Sequence, residues 1–163
     1  MSLQFIIDGY NLIKHPQLAQ RLKTSGDARE KLLSFIKAKN LTGSLKNKVT
    51  VVFDGYPDAN FPMLQSDISV IFSRKISADE KIRKLLEESG NPKNIIVVSD
   101  DREIQFFTKS CGAQALGIEE FIGASEEKEA RKLKRQEEES EESKLNYTQM
   151  SEINKELRKI WLK

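Results

Sequence analysis

Three short apolar runs in this chain each lead into aspartate, and helix-patterned segments separate them. Residues 3–7 run into Asp8-Gly9, residues 49–53 into Asp54-Gly55, and residues 95–98 into Ser99-Asp100-Asp101. Apolar runs this short, bounded by turn residues, read as buried strands. Further strands are expected at 68–72 and 113–116. Asp27 with Glu30, and Ser77 with Glu80, have the spacing of capping boxes, and an apolar stripe follows each pair. Another helix is expected through Ile104, Phe106 and Phe107, stopping at Gly112. Residues 55–67, rich in turn formers, read as a loop, and 118–122 as a closing turn or helix. This alternation predicts an α/β fold, a central and mainly parallel sheet covered by helices on both faces. Ligands bind such sheets beyond the carboxyl ends of the strands, which is where these aspartates fall. A fourth acid, Asp79, opens the helix that follows the 68–72 strand.

A chain of 163 residues holds one domain with a substantial core. No apolar run approaches the length of a membrane span, and no basic-then-apolar leader opens the sequence. A cytoplasmic protein without a membrane partner is therefore expected. The single cysteine, Cys111, excludes an internal disulfide framework and a cysteine-built zinc site, and reads as a small apolar helix residue. The one histidine, His15, reads as a surface residue, which leaves no imidazole base.

The carboxylates carry the chemistry. Acids placed together repel, and at least one keeps its proton unless a cation compensates. A hard divalent ion is the usual compensation, and magnesium needs only one or two carboxylates plus waters and substrate phosphates. Asp8, Asp79 and Asp101 as ligands would suit phosphodiester hydrolysis without histidine or cysteine. Gly9 lets the backbone approach a ligand closely. Asn11, three residues after Asp8, would face the same side, where its amide can hold a water or a phosphate. Each signal also has a structural reading: turns for Asp8 and Asp54, helix starts for Asp79 and Asp101, a cap for Asn11.

The net charge of +2 conceals a division. Residues 1–123 carry 17 Lys and Arg against 15 Asp and Glu, whereas the remaining forty carry ten of each. Setting aside five acids gathered around metal leaves 17 positive charges against ten in the first part. Lys46, Lys48, Arg74, Lys75, Lys81 and Lys84 are the candidate contacts to the phosphates of a polyanion, although such lysines also serve as solvated helix faces. The chain reads as three regions: a catalytic domain over 1–123, a charged helix or linker over 124–144, and an amphipathic end helix over 145–163. In that last region Tyr147, Met150, Ile153, Leu157, Ile160 and Trp161 recur at helical spacing, as in a helix that docks on another surface.

The run Phe5-Ile6-Ile7-Asp8-Gly9-Tyr10-Asn11-Leu12-Ile13 resembles the opening motif of the YacP-like branch of NYN-domain proteins, relatives of PIN nucleases. The likeness continues through residues 27–33, 51–55, 77–82 and 99–104, through Gly112-Ala113, and through 119–121. It implies a PIN-like three-layer α/β/α sandwich and a ribonuclease that cleaves single-stranded RNA with Mg2+ or Mn2+. Some relatives act on messenger RNA at ribosomes, so an endoribonuclease of RNA processing or mRNA decay is the expected function. Carried over by position, the metal-site acids fall on Asp8, Asp79 and Asp101, with Asn11 and Asp54 in support. Relatives tend to have Ser or Thr where this chain has Asp100, so Asp100 and Asp101 both remain ligand candidates. The alternatives are a non-catalytic RNA- or ribosome-binding module and another divalent-metal phosphohydrolase. Tyr10, standing two residues after Asp8, argues against a haloacid-dehalogenase phosphatase, which needs a second acid there.

Overall fold

Each apolar run forms a strand in the computed structural model, which describes residues 2–61, 64–65 and 67–161. The strands are β1 (Gln4–Asp8), β2 (Lys48–Phe53), β3 (Leu64–Gln65), β4 (Ile68–Phe72), β5 (Ile95–Val98) and β6 (Gln114–Leu116). They lie in the order β3-β4-β2-β1-β5-β6. All neighbours run parallel except β3, which pairs antiparallel with β4 at the edge. Of the loop expected over 55–67, residues 62, 63 and 66 lie outside the described residues, and β3 is a strand inside that segment.

The helices are α1 (Gly9–Lys14), α2 (Pro16–Arg21), α3 (Ala28–Ala38), α4 (Ala78–Glu87), α5 (Arg102–Ser110) and α6 (Ile118–Trp161). Side chains alternate across the strands, so the sheet has two buried faces. On one face Phe5, Ile7, Val49, Val51 and Phe53 pack with Leu12, Leu18, Leu32, Leu33 and Ile36 of α1 to α3 and with Ile118, Phe121 and Ile122 of α6. On the other, Ile6, Val52, Ile95 and Val97 meet Ile82 and Leu86 of α4 and Ile104 of α5. The result is the three-layer α/β/α arrangement expected. Ser77 and Glu80 form the full capping box at α4: Glu80 N–H donates to Ser77 Oγ at 3.1 Å and Ser77 N–H to the Glu80 carboxylate at 3.4 Å. Asp27 caps α3, accepting the Arg29 N–H at 2.8 Å.

The chain divides into two compact units, Met1–Ser125 and Glu126–Lys163. Within the first, the opening turns of α6 bury Ile118, Phe121, Ile122 and Ser125, and Ser125 Oγ donates to the Lys39 carbonyl at 2.9 Å. Within the second, α6 continues to Trp161, and Leu133, Leu145, Tyr147, Met150, Ile153, Leu157, Ile160 and Trp161 are exposed. No glycine or proline interrupts 126–161, and Glu, Lys and Arg dominate it, so intrinsic propensity and charge pairs along the helix favour this conformation without a core. Residues 162 and 163 of the expected end helix lie outside the described residues. Among the described residues no helix is long and apolar enough to cross a membrane.

Candidate active site

The parallel register brings the carboxyl ends of β1, β2, β4 and β5 to one edge: Asp8 lies opposite Val52, Phe53 opposite Phe72, and Ile7 opposite Val98. The residues that follow these ends are Gly9, Asp54, Ser73 and Ser99, and helices α1, α4 and α5 begin along the same edge. Asp8 caps α1, with its Oδ1 3.5 Å from the Asn11 N–H, and is only 6% exposed. Burial pushes its carboxyl from an ordinary 3.8 up to about 6, and the negative charges of Asp79 and Asp101 add to the rise. Asp79, in the first turn of α4, is also raised, by burial first and then by Asp101, with Arg83 acting against them. These three acids therefore feel one another electrostatically, as their positions in the sequence suggest.

The other candidates are placed differently. Asp54 Oδ1 accepts from Ser73 Oγ at 3.0 Å and from the Ala78 N–H at 3.2 Å, so it holds the start of α4 and thereby positions Asp79. Asp101 caps α5, its Oδ1 taking the Glu103 and Ile104 N–H groups at 2.8 and 3.3 Å. Asp100 turns to other work. Its Oδ1 accepts the Ile118 N–H at 2.9 Å, at the start of α6, and its Oδ2 lies 3.7 Å from His15 Nε2. His15, expected at the surface, has a side chain only 16% exposed, because it caps α2 and faces Asp100. Asn11 spends its amide oxygen on the Asp100 N–H at 3.2 Å, tying α1 to the β5–α5 turn and leaving its amide NH2 as the group it can offer a ligand. Within the fold, the close approach that Gly9 permits is to the Phe53 ring.

Sequence patterning does not single out Ser99, yet this residue links the site. It is fully buried, its hydroxyl stands close enough to Asp8 to favour the ionised carboxylate slightly, and its Oγ accepts the Asp101 N–H at 3.1 Å. Arg83 is the second such residue, one helical turn beyond Asp79 and beside Glu103 at 3.6 Å. Of the basic candidates, Arg74 and Lys75 follow β4 at the acid edge, and Lys81 and Lys84 lie on α4. Lys48 opens β2 opposite Gln4, and Lys46 precedes it, so both stand at the far end of the strands from the acids.

Among the described residues no three His, Cys, Asp or Glu side chains converge tightly enough to enclose an ion by themselves. The donor set fits a magnesium- or manganese-type ion nonetheless, since such ions take one or two carboxylates and complete their shell with water and phosphate. A buried Asp8 beside two further acids is the kind of group such a cation relieves. Because Asn is as good a helix cap as Asp, Asp101→Asn should fold normally and lose activity, isolating the charge. Asp100→Ala should keep most activity and lose about 1 kcal/mol of stability with its cap on α6. Paired activity and denaturation measurements check both, and the reverse ranking would transfer the ligand role to Asp100.

A mainly parallel sheet between two helical layers, with acids gathered beyond its strand ends, defines a PIN-like α/β domain. The YacP-like NYN domain family model matches residues 5–162, and the chain belongs to that family. That match runs through the charged stretch and the end helix, well beyond the motifs recognisable by eye. The crystal structure of Rae1 (YacP) from Bacillus subtilis is similar over 99% of this chain and 94% of that one, with 27% identity and a TM-score of 0.61. Its W164L mutant is similar over 83% and 81% of the two chains, with 28% identity and a TM-score of 0.59. No curated protein gives a match.

Proposed function

We propose that this protein is a divalent-metal-dependent ribonuclease that hydrolyses phosphodiester bonds in single-stranded RNA, acting as an endonuclease in RNA processing or messenger-RNA decay, with the ribosome as a candidate partner. The observation that carries the reading is Asp8: a nearly buried carboxylate, raised to about 6 and electrostatically coupled to Asp79 and Asp101 at the ligand-binding edge of the sheet. A pure binding module has no use for such a group, since bare carboxylates repel phosphate. Asp8, Asp79 and Asp101 would hold Mg2+ or Mn2+, which when bound supplies Lewis-acid polarisation of the scissile phosphate. Asp54 fixes the first turn of α4, Ser99 keeps Asp8 and Asp101 in register, and the Asn11 amide NH2 orients a phosphate oxygen. The purified full chain should cleave end-labelled single-stranded RNA with Mn2+ or Mg2+ and stop when a chelator is added. Absence of cleavage with every divalent ion tried would overturn the reading.

The basic residues of the acid edge should hold the substrate backbone. Reversing Arg74, Lys75, Lys81 and Lys84 to Glu should weaken RNA binding and flatten its salt dependence, by about 0.7 in log–log slope for each phosphate no longer neutralised. Reversing Lys46 and Lys48, at the opposite end of the strands, should leave the slope unchanged. Equal effects from both sets would show that binding is not localised at the acid edge.

A further inference from the structure

Beside the acids, α4 and α5 border an open hollow of about 370 Å3 lined by Arg83, Arg102, Glu103, Phe106 and Phe107. Two of its features are unexplained by the fold. Phe106 is 77% exposed, although α5 has Ile104 and Thr108 to serve its core face. Arg83 has its guanidinium 5.2 Å above the Phe107 ring and 3.6 Å from Glu103, yet its Nε is shielded from solvent and makes no hydrogen bond among the described residues. A buried donor without a partner is costly, and calls for a reason. Position supplies one. Arg83 follows Asp79 by one turn of α4, and Arg102 directly follows Asp101, so both cations adjoin proposed metal ligands.

We infer that this hollow is a nucleotide subsite for the RNA strand next to the bond being cut, with one base stacked on Phe106 and its phosphate met by Arg83 and Arg102. The inference rests on the nuclease reading for its substrate. A strand approaching the acids needs compensating positive charge close by, and these arginines provide it at the edge of the cluster. A phosphate that takes the place of Glu103 meets the exposed terminal nitrogen of Arg83, and a turn of the guanidinium off the Phe107 ring brings Nε out to the partner it lacks. The exposed Phe106 ring, in a hollow that Arg83 and Arg102 also line, is a stacking platform for any base, because every base has a π-face. Two arginines among the five lining residues favour a phosphate-bearing strand over an apolar protein segment. The hollow therefore grips RNA without reading its sequence.

The test pairs binding and cleavage on the full chain. Fluorescence polarisation of a labelled single-stranded oligonucleotide, in metal-free buffer, reads binding alone, and cleavage is measured with Mn2+. Phe106→Ala removes an exposed side chain and should leave the melting temperature unchanged. It should weaken oligonucleotide affinity roughly 5- to 150-fold, the range of one base stack, and raise KM more than it lowers kcat. Phe106→Trp should restore binding, which a merely structural role would not predict. Arg83→Gln should also weaken binding and reduce the salt slope by about 0.7. If the wild type binds and cleaves RNA while Phe106→Ala does both equally well, the subsite is overturned and the nuclease reading stands. If binding depends on Phe106 but no divalent ion supports cleavage, the subsite stands and the nuclease reading falls. If the wild type does not bind single-stranded RNA, the subsite is overturned.

Discussion

Asp8→Asn is expected to abolish RNA cleavage while making the metal-free protein more stable at neutral pH. The two effects have one cause. The Asp8 carboxyl is raised from 3.8 to about 6, so the native fold holds its proton more tightly than the unfolded chain does. Below pH 3.8 the group is protonated in both states and contributes nothing. As pH rises from 3.8 through about 6, the unfolded state ionises freely and the native state resists, so stability is lost across that window. Above it the loss is complete, on the order of 3 kcal/mol for a shift of this size. Asp79 is raised too, and acts in the same direction.

The Asp8→Asn side chain is neutral at every pH, which removes that unfavourable term and keeps the local bonds. Its amide oxygen can still accept the Asn11 N–H, and its NH2 can donate to Ser99 Oγ. The metal-free variant should therefore melt several degrees higher at neutral pH and lose most of the wild type's pH dependence. Mn2+ should raise the melting temperature of the wild type by mass action and leave the variant unmoved. Cleavage should fall by more than about a hundredfold, because losing even an outer partner of a metal ligand typically costs about 10- to 100-fold. Calorimetric scans across pH, with and without Mn2+, separate these effects. A variant that melts lower than wild type at neutral pH, yet cleaves normally, would remove Asp8 from the site.

The strands were legible because a strand buried on both faces must be an unbroken apolar run, and each such run here ends at a turn residue. The same rule placed Asp8, Asp54 and Asp101 on one edge. Applied to the lysines, the same rule puts Lys48, at the amino end of its strand, on the edge opposite the acids. Residues 9–21 do not read as a helix because α1 and α2 are six residues each, less than two turns, and are broken at His15-Pro16, too brief to show an apolar period. β3 spans two residues and exists only through its pairing with β4. The roles of Ser99, Ser73 and Arg83 depend on partners brought together by tertiary structure, such as Asp54 for Ser73 and Glu103 for Arg83, and no local pattern announces them. Asp100 and Asp101 are adjacent in sequence and chemically identical. Tertiary structure tells them apart: the start of α6 and His15 arrive at the Asp100 carboxylate, while Asp101 caps α5.

Gly9→Ala is expected to be the most damaging small substitution near the site, for a steric reason. A Cβ on Gly9 would lie 2.3 Å from Phe53 Cε1 and 2.5 Å from its Cδ1, well inside contact distance. The ring cannot step aside. Phe53 is fully buried and meets Tyr10 at 5.4 Å, Phe72 at 5.7 Å and Phe61 at 6.3 Å between centroids. Arg29 closes the far side of this cluster, its guanidinium 4.8 Å from the Phe61 ring. Relief must come from shifting α1, which carries Asn11 and is capped by Asp8. Overpacking of this kind typically costs about 1–3 kcal/mol, and the better helix propensity of alanine, about 1 kcal/mol at most, offsets only part of it. Gly90→Ala, where nothing lies within 4 Å, is the control and should be close to neutral. The diagnostic variant is the double substitution Gly9→Ala with Phe53→Leu: making room for the methyl group should leave the pair more stable than the sum of the single losses predicts. Strictly additive losses in denaturant unfolding would mean that Phe53 is not what requires glycine at position 9.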